Sequence, residues 1–175
     1  MRAARWLLIP LLVIPLGWVL FMGLGRDPAE IPSPLIGKPM PAFQLTTLDG
    51  DSLSSTDLAG RPAVINFWAS WCIPACVDEH PVLMDAAARF AQEVQLVGIL
   101  YDDTPQDALG FLVRYGDGGW PHIDDASGEL ALAFGVLGPP ETFFVDADGI
   151  VRAKHYGPLT DESMARNLAL IGVGP

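Results

Sequence analysis

Asn66-Phe67-Trp68-Ala69-Ser70-Trp71-Cys72-Ile73-Pro74-Ala75-Cys76 holds both cysteines of the chain. The apolar run at its front, Ala63 to Trp68, predicts a strand covered on both faces. Behind it Val82, Leu83, Ala86 and Phe90 recur at helical spacing and predict a helix to about Gln92. Pro81 should bend that helix, since its ring has no N–H to give. Two cysteines around a proline at a strand-to-helix junction point to redox chemistry. Cys72 falls at or just before the helix N-terminus, where backbone N–H groups and the helix dipole favour a thiolate. Cys76 lies one turn further in and is more covered. Cys72 therefore reads as the attacking thiolate and Cys76 as the resolving thiol. Pro74 suits the first helical turn, where a missing N–H costs little. Three residues separate the cysteines, one more than redox motifs usually have. On an ideal helix i,i+4 Cα atoms are roughly 6 Å apart, inside the ~4.4–6.8 Å that a disulfide accepts. A redox-active Cys72–Cys76 disulfide is thus permitted, with Ala75 either in the turn or taken up as a bulge.

Outward from this stretch, 175 residues allow one ordinary domain and an appendage. Two cysteines cannot staple a fold, so the pair reads as functional. The net charge of −11 makes nucleic acid a poor partner. Trp6 to Leu24 carries no charge and follows Arg2 and Arg5. At ~1.5 Å per residue it can span the ~30 Å hydrocarbon core. Residues 1–25 are expected to form a single transmembrane signal-anchor, with the N-terminus cytoplasmic and the domain across the inner membrane, in the periplasm. A cleaved signal peptide is the competing reading. Residues 26–41, with five prolines, should be an extended spacer, and residues 42–175 the domain.

Within the domain, Phe43 to Leu48 and the return from Ser52 predict a hairpin about Asp49-Gly50. Val94 to Tyr101 is a second central strand. Asp102-Asp103-Thr104-Pro105 should cap a helix to about Tyr115. His122-Ile123 could be a short strand. Ser127 is the expected cap of a helix from Glu129 to Phe134. Thr142 to Asp146 and Ile150 to Tyr156 flank an Asp148-Gly149 turn. A last helix, capped at Thr160 or Asp161, runs to about Ile171. The order implies an α/β layered sheet with helices on both faces.

Phe67-Trp68-Ala69-Ser70-Trp71-Cys72 resembles the start of the active site in membrane-anchored thioredoxin-like proteins. Gly135-Val136-Leu137-Gly138-Pro139-Pro140-Glu141-Thr142-Phe143-Phe144-Val145-Asp146 resembles a motif of the DsbE/CcmG family, the thiol:disulfide interchange proteins of cytochrome c maturation. The resemblance covers about residues 36 to 171. It implies a thioredoxin-like fold with an N-terminal β-hairpin extension. It makes Pro140 a cis-proline shaping the substrate groove together with Glu141 and Thr142. Glu79 becomes an acidic neighbour that tunes the dithiol, weighed evenly against a solvated surface acid. Trp71 becomes a contact surface beside the nucleophile. Pro139 departs from the family pattern, where a small residue is usual.

The resemblance further implies reduction of disulfides in apocytochrome c, or in a maturation partner, with a membrane electron donor restoring the dithiol. No cofactor beyond the disulfide and no metal is expected. The alternative follows from the spacing: Sco-type copper chaperones use Cys-x-x-x-Cys with a distant His. The candidates here are His80, His122 and His155, each read as structural or solvated, His80 at the surface.

Overall fold

The computed structural model describes residues 33–174 and, before them, only Val13, Pro15, Gly17 and Trp18. Apart from those four residues, the expected membrane anchor lies outside the described residues, as does the first part of the expected spacer. Among the described residues no helix is long and apolar enough to cross a membrane. The chain divides into two units, Met1–Ile31 and Pro32–Pro175.

At the centre of the second unit is a five-stranded sheet. The strands are β3 (Ala63–Trp68), β4 (Gln95–Leu100), β5 (His122–Asp124), β6 (Glu141–Val145) and β7 (Val151–Tyr156). They lie in the order β5-β4-β3-β6-β7. β3 pairs in parallel with β4 and antiparallel with β6, and β7 returns antiparallel to β6. All six residues of β3 are buried, as its nearly all-apolar run requires of a strand with both faces covered. The period of two divides them. Ile65 and Phe67 face one side, where Phe143 and the helix α3 (Glu129–Phe134) pack, with Phe67 and Phe134 ring centres 5.3 Å apart. Val64, Asn66 and Trp68 face the other. That side carries α1 (Ala75–Arg89), α2 (Pro105–Tyr115) and α4 (Asp161–Leu170).

A separate hairpin, β1 (Gln44–Thr46) and β2 (Ser52–Ser54), precedes the sheet. The Leu48 N–H donates to His122 O, and Thr47 bridges to Ile123, so the hairpin covers part of the β5 edge. Residues 33–41, expected in the spacer, belong to the folded unit. Leu35 and Met40 pack on the core, and the backbones of Gly37, Lys38 and Met40 bond to the β7 side at Val151 and Gly149. The spacer reading followed proline density. Those prolines leave enough free N–H groups between them to pair an edge.

α1 ends at Arg89, short of the expected Gln92. It passes Pro81 on its exposed side, where the unpaired carbonyl one turn earlier can meet water. Thr104 caps α2 by accepting from Asp107 N, with Pro105 first in the helix. Ser127 is not the cap of α3. Gly128 holds that position in a left-handed conformation, and buried Asp125 reaches over it to accept from Leu130 N and Ala131 N. Thr160 caps α4, with Ser163 closing a reciprocal box.

Candidate redox site

β3 ends at Trp68, and α1 starts at Ala75, so the intervening loop carries Cys72 to the C-terminal edge of the sheet. The two cysteines form a disulfide with Cα atoms 5.4 Å apart. The three-residue spacing is absorbed without a bulge: Cys76 N–H donates to Cys72 O at 2.8 Å, an ordinary i to i−4 bond. Pro74 is the residue before the helix rather than in its first turn, and its peptide bond to Ile73 is cis. Both cysteines are buried, Cys76 the more deeply. Trp71 and Ile73 stand exposed beside Cys72.

The loop is held from the β4–α2 connection. Ser70 N–H donates to Asp103 Oδ2 at 2.6 Å, and Trp71 Nε1 donates to Asp102 O at 3.0 Å. Sequence reasoning took these aspartates for caps and loop charges. Their place opposite the cysteine loop follows from the β3/β4 pairing, which sets Trp68 beside Leu100.

β6 starts at Glu141, opposite Phe67, so Pro140 lies at the same sheet edge as the cysteines. The Pro139–Pro140 bond is cis, and Pro140 is buried. Glu141 is fully buried on the α3 side of the sheet. Its Oε1 accepts from Leu137 N and Gly138 N, and Lys154 Nζ lies 2.6 Å from Oε2. The carboxylate thereby braces the loop that leads into Pro140. Thr142, next along the strand, faces the other side, where its Oγ1 accepts from Asn66 Nδ2 at 3.0 Å.

Glu79 is not a solvated acid. It is 1 % exposed, three residues after Cys76 on the buried face of α1. Asn66 Nδ2 donates to Oε1 at 2.8 Å, and Leu159 N donates to Oε2 at 3.0 Å. Burial pushes its pKa up to about 7, against the pull of these two donors. Glu79 is therefore a buried carboxyl poised to change protonation near neutral pH, one helical turn from Cys76.

Each histidine bonds a backbone carbonyl through Nε2. His80 is buried rather than at the surface, bonded through Nε2 to Gly116 O and set edge-on to Phe111. His155 bonds to Pro158 O. His122 is buried with Nε2 3.1 Å from Asp117 O, and burial lowers its pKa. Among the described residues no three His, Cys, Asp or Glu side chains are grouped to hold a metal ion.

The Redoxin family model matches residues 35–169. The thiol:disulfide interchange protein DsbE of Pseudomonas fluorescens biotype C is 45% identical, over 95% of this chain and 96% of that one. The solved structure of MTB DsbF, in mixed oxidized and reduced forms, is 34% identical, with a TM-score of 0.68 over 73% of this chain and 94% of that chain. The thioredoxin domain of a Bacteroides vulgatus thiol-disulfide oxidoreductase, 21% identical, shares the fold at a TM-score of 0.68 over 78% of this chain and 97% of that one.

Proposed function

We propose, for a chain that belongs to the Redoxin family and to the DsbE thiol:disulfide interchange proteins, that Cys72 and Cys76 reduce a disulfide in apocytochrome c, or in a partner of its maturation. The chain is a thioredoxin-like thiol:disulfide oxidoreductase. The observation that carries the finer reading is the disulfide at the sheet edge with Glu79 behind it and exposed Trp71 and Ile73 in front.

In the reduced protein the Cys72 thiolate attacks one sulfur of the substrate disulfide. A Cys72–substrate bond forms, and the second substrate sulfur leaves as a thiolate that takes a proton from water. Cys76, buried and protonated, must then lose its proton, and Glu79 is the acceptor: the S–H bond breaks and a carboxyl O–H forms. The Cys76 thiolate attacks Cys72 Sγ, the mixed disulfide breaks, and the second substrate thiolate departs and is protonated. Two electrons have passed to the substrate, and the protein is left as the Cys72–Cys76 disulfide, the form seen in the structure. A membrane electron donor returns the two electrons. The N-terminal apolar segment holds the domain at the inner membrane, on the periplasmic side.

The test is turnover of a Cys-x-x-Cys-His peptide disulfide by the reduced protein. Thiol release is expected from the native chain and none from Cys72→Ser. Cys76→Ser should stop at a mixed disulfide visible by mass. Stoichiometric Cu(I) binding without peptide reduction would refute the reading.

A further inference from the structure

We propose that the chamber behind Cys76 binds one ordered water between the Trp68 indole N–H and His122 Nδ1, and that His122 acts through this water as a positioning residue for proton transfer from Cys76 to Glu79. The inference rests on the role of Glu79 as the base for Cys76.

Two buried polar atoms beside the site, Trp68 Nε1 and His122 Nδ1, have no hydrogen-bond partner among the described residues. Such groups are rarely left dry, because burial strips them of water. Their characters are complementary. The indole can only donate. His122 Nε2 lies against the Asp117 carbonyl, which can only accept, so Nε2 carries the proton and neutral Nδ1 presents a bare lone pair. A water accepts from the first and donates to the second.

The sheet provides the place. Thr142, Asn66, Gly98 and His122 are register partners across β6, β3, β4 and β5, a row carrying three polar side chains beside Val64, Trp68, Leu96 and Leu100. Gly98 is its gap. A Cβ there would lie 2.4 Å from His122 Nδ1 and 2.9 Å from Trp68 Nε1, so the glycine lets both orphan atoms draw close together over the strand, where no side chain would fit. Glycine within a strand marks a close approach of another group, which here is the histidine ring and the water beside it. Trp68 and His122 also line a small cavity with Asn66, Cys76, Glu79 and Trp120, with a volume of about 10 Å³. That is room for one molecule. Its second hydrogen is free for the Glu79 carboxylate and favours the ionised form that accepts the Cys76 proton.

The titratable groups about the chamber are few. α1 contributes Cys76 and His80 besides Glu79, and β5 contributes His122. Asp117 and Asp49 act on His122 from outside. His155 of β7 is the register partner of Thr142 and bonds to Pro158 O. α2 presents uncharged Phe111 and Leu112.

The experiment uses the full chain and follows the pH dependence of substrate release from the Cys72 mixed disulfide. His122→Phe removes the acceptor while keeping a ring, and the midpoint should rise by about half a unit, a rate about twofold lower at pH 7 and about threefold lower well below the midpoint. The plateau at high pH should be unchanged. His122→Asn restores an acceptor near the Nδ1 position and should keep the native midpoint. In the native protein a water–Trp68 Nε1–H Overhauser effect is expected by NMR, which stands even where a variant fails to fold. A native midpoint in folded His122→Phe, or no water signal at Trp68, overturns the proposal. Glu79→Gln separates the two readings. If it abolishes the midpoint while His122→Phe does not move it, the water's role alone fails. If the midpoint survives in Glu79→Gln, the role of Glu79 fails, and this inference with it.

Discussion

Asn66 gives both hydrogens of its amide to acceptors on different elements: Glu79 Oε1 of α1 at 2.8 Å and Thr142 Oγ1 of β6 at 3.0 Å. One side chain of β3 thereby ties the helix behind Cys76 to the strand that follows Pro140. Asn66→Ala leaves two buried acceptors short of a donor. The expected loss is about 1–3 kcal/mol of stability, read by urea unfolding of the oxidised protein. Losing a donor also raises the Glu79 pKa further, which a carboxyl-labelled NMR titration would register. An unmoved Glu79 titration would mean that Asn66 serves packing alone.

Lys154 is the sole ion-pair partner of buried Glu141 among the described residues. Lys154→Met keeps the stem of the side chain and strands the carboxylate. Breaking a buried pair from one side costs about 3–5 kcal/mol. Because Glu141 also holds the amides of Leu137 and Gly138, exchange of those two protons should accelerate more than exchange in β3. Adding Glu141→Gln to Lys154→Met should recover part of the stability. Independent, additive effects of the two changes would contradict the coupling.

The five-stranded sheet was legible because its signals are local. A nearly all-apolar Ala63–Trp68, a 3.6-residue period after Cys76 and the Asp148-Gly149 turn each need only a few neighbouring residues. The cysteine pair was legible for the same reason, whereas the place of Pro140 came from the motif resemblance alone. The environment of Glu79 was not legible. Its spacing places it on the face of Cys76, but Leu159, 80 residues away in sequence, supplies one of its two donors. His80 was misread as a surface residue because its cover comes from Phe111 and the Gly116–Trp120 segment. Asp125 outcompeted Ser127 for α3 because a buried carboxylate can serve two amides at once, whereas the Ser127 hydroxyl takes only Glu129 N.

Asp103 braces the loop before Cys72 through Ser70 N–H at 2.6 Å. Asp103→Ala removes a charge-assisted bond to a half-buried amide, at a cost of about 1–2 kcal/mol. The cost falls on the loop rather than the sheet. Ser70 amide exchange should rise, and reaction of reduced Cys72 with a disulfide probe should slow several-fold, with unfolding cooperativity retained. Trp71 fluorescence, tied to the same connection through Asp102 O, gives a second readout. Unchanged Ser70 exchange would show the contact to be incidental.

Glu79 links protonation to stability, and the oxidised protein isolates it, since disulfide-bonded cysteines do not titrate. Its carboxyl is raised from an ordinary 4.5 to about 7 by burial. Between those values the native state holds a proton that the unfolded chain has released. The stabilisation is therefore complete below about pH 4.5 and is lost as pH rises through 7. The total is on the order of 3 kcal/mol. Other carboxylates impose trends of their own, so the informative quantity is the stability of the native chain minus that of Glu79→Gln, from urea unfolding at several pH values. That difference should fall between about pH 4.5 and 7.5 and level off above. The side-chain amide in Glu79→Gln has a single oxygen to offer the Asn66 and Leu159 donors, which shifts the level of the difference but not its pH dependence. A difference that stays flat across the range would place the Glu79 carboxyl at an ordinary pKa and remove it as the base for Cys76.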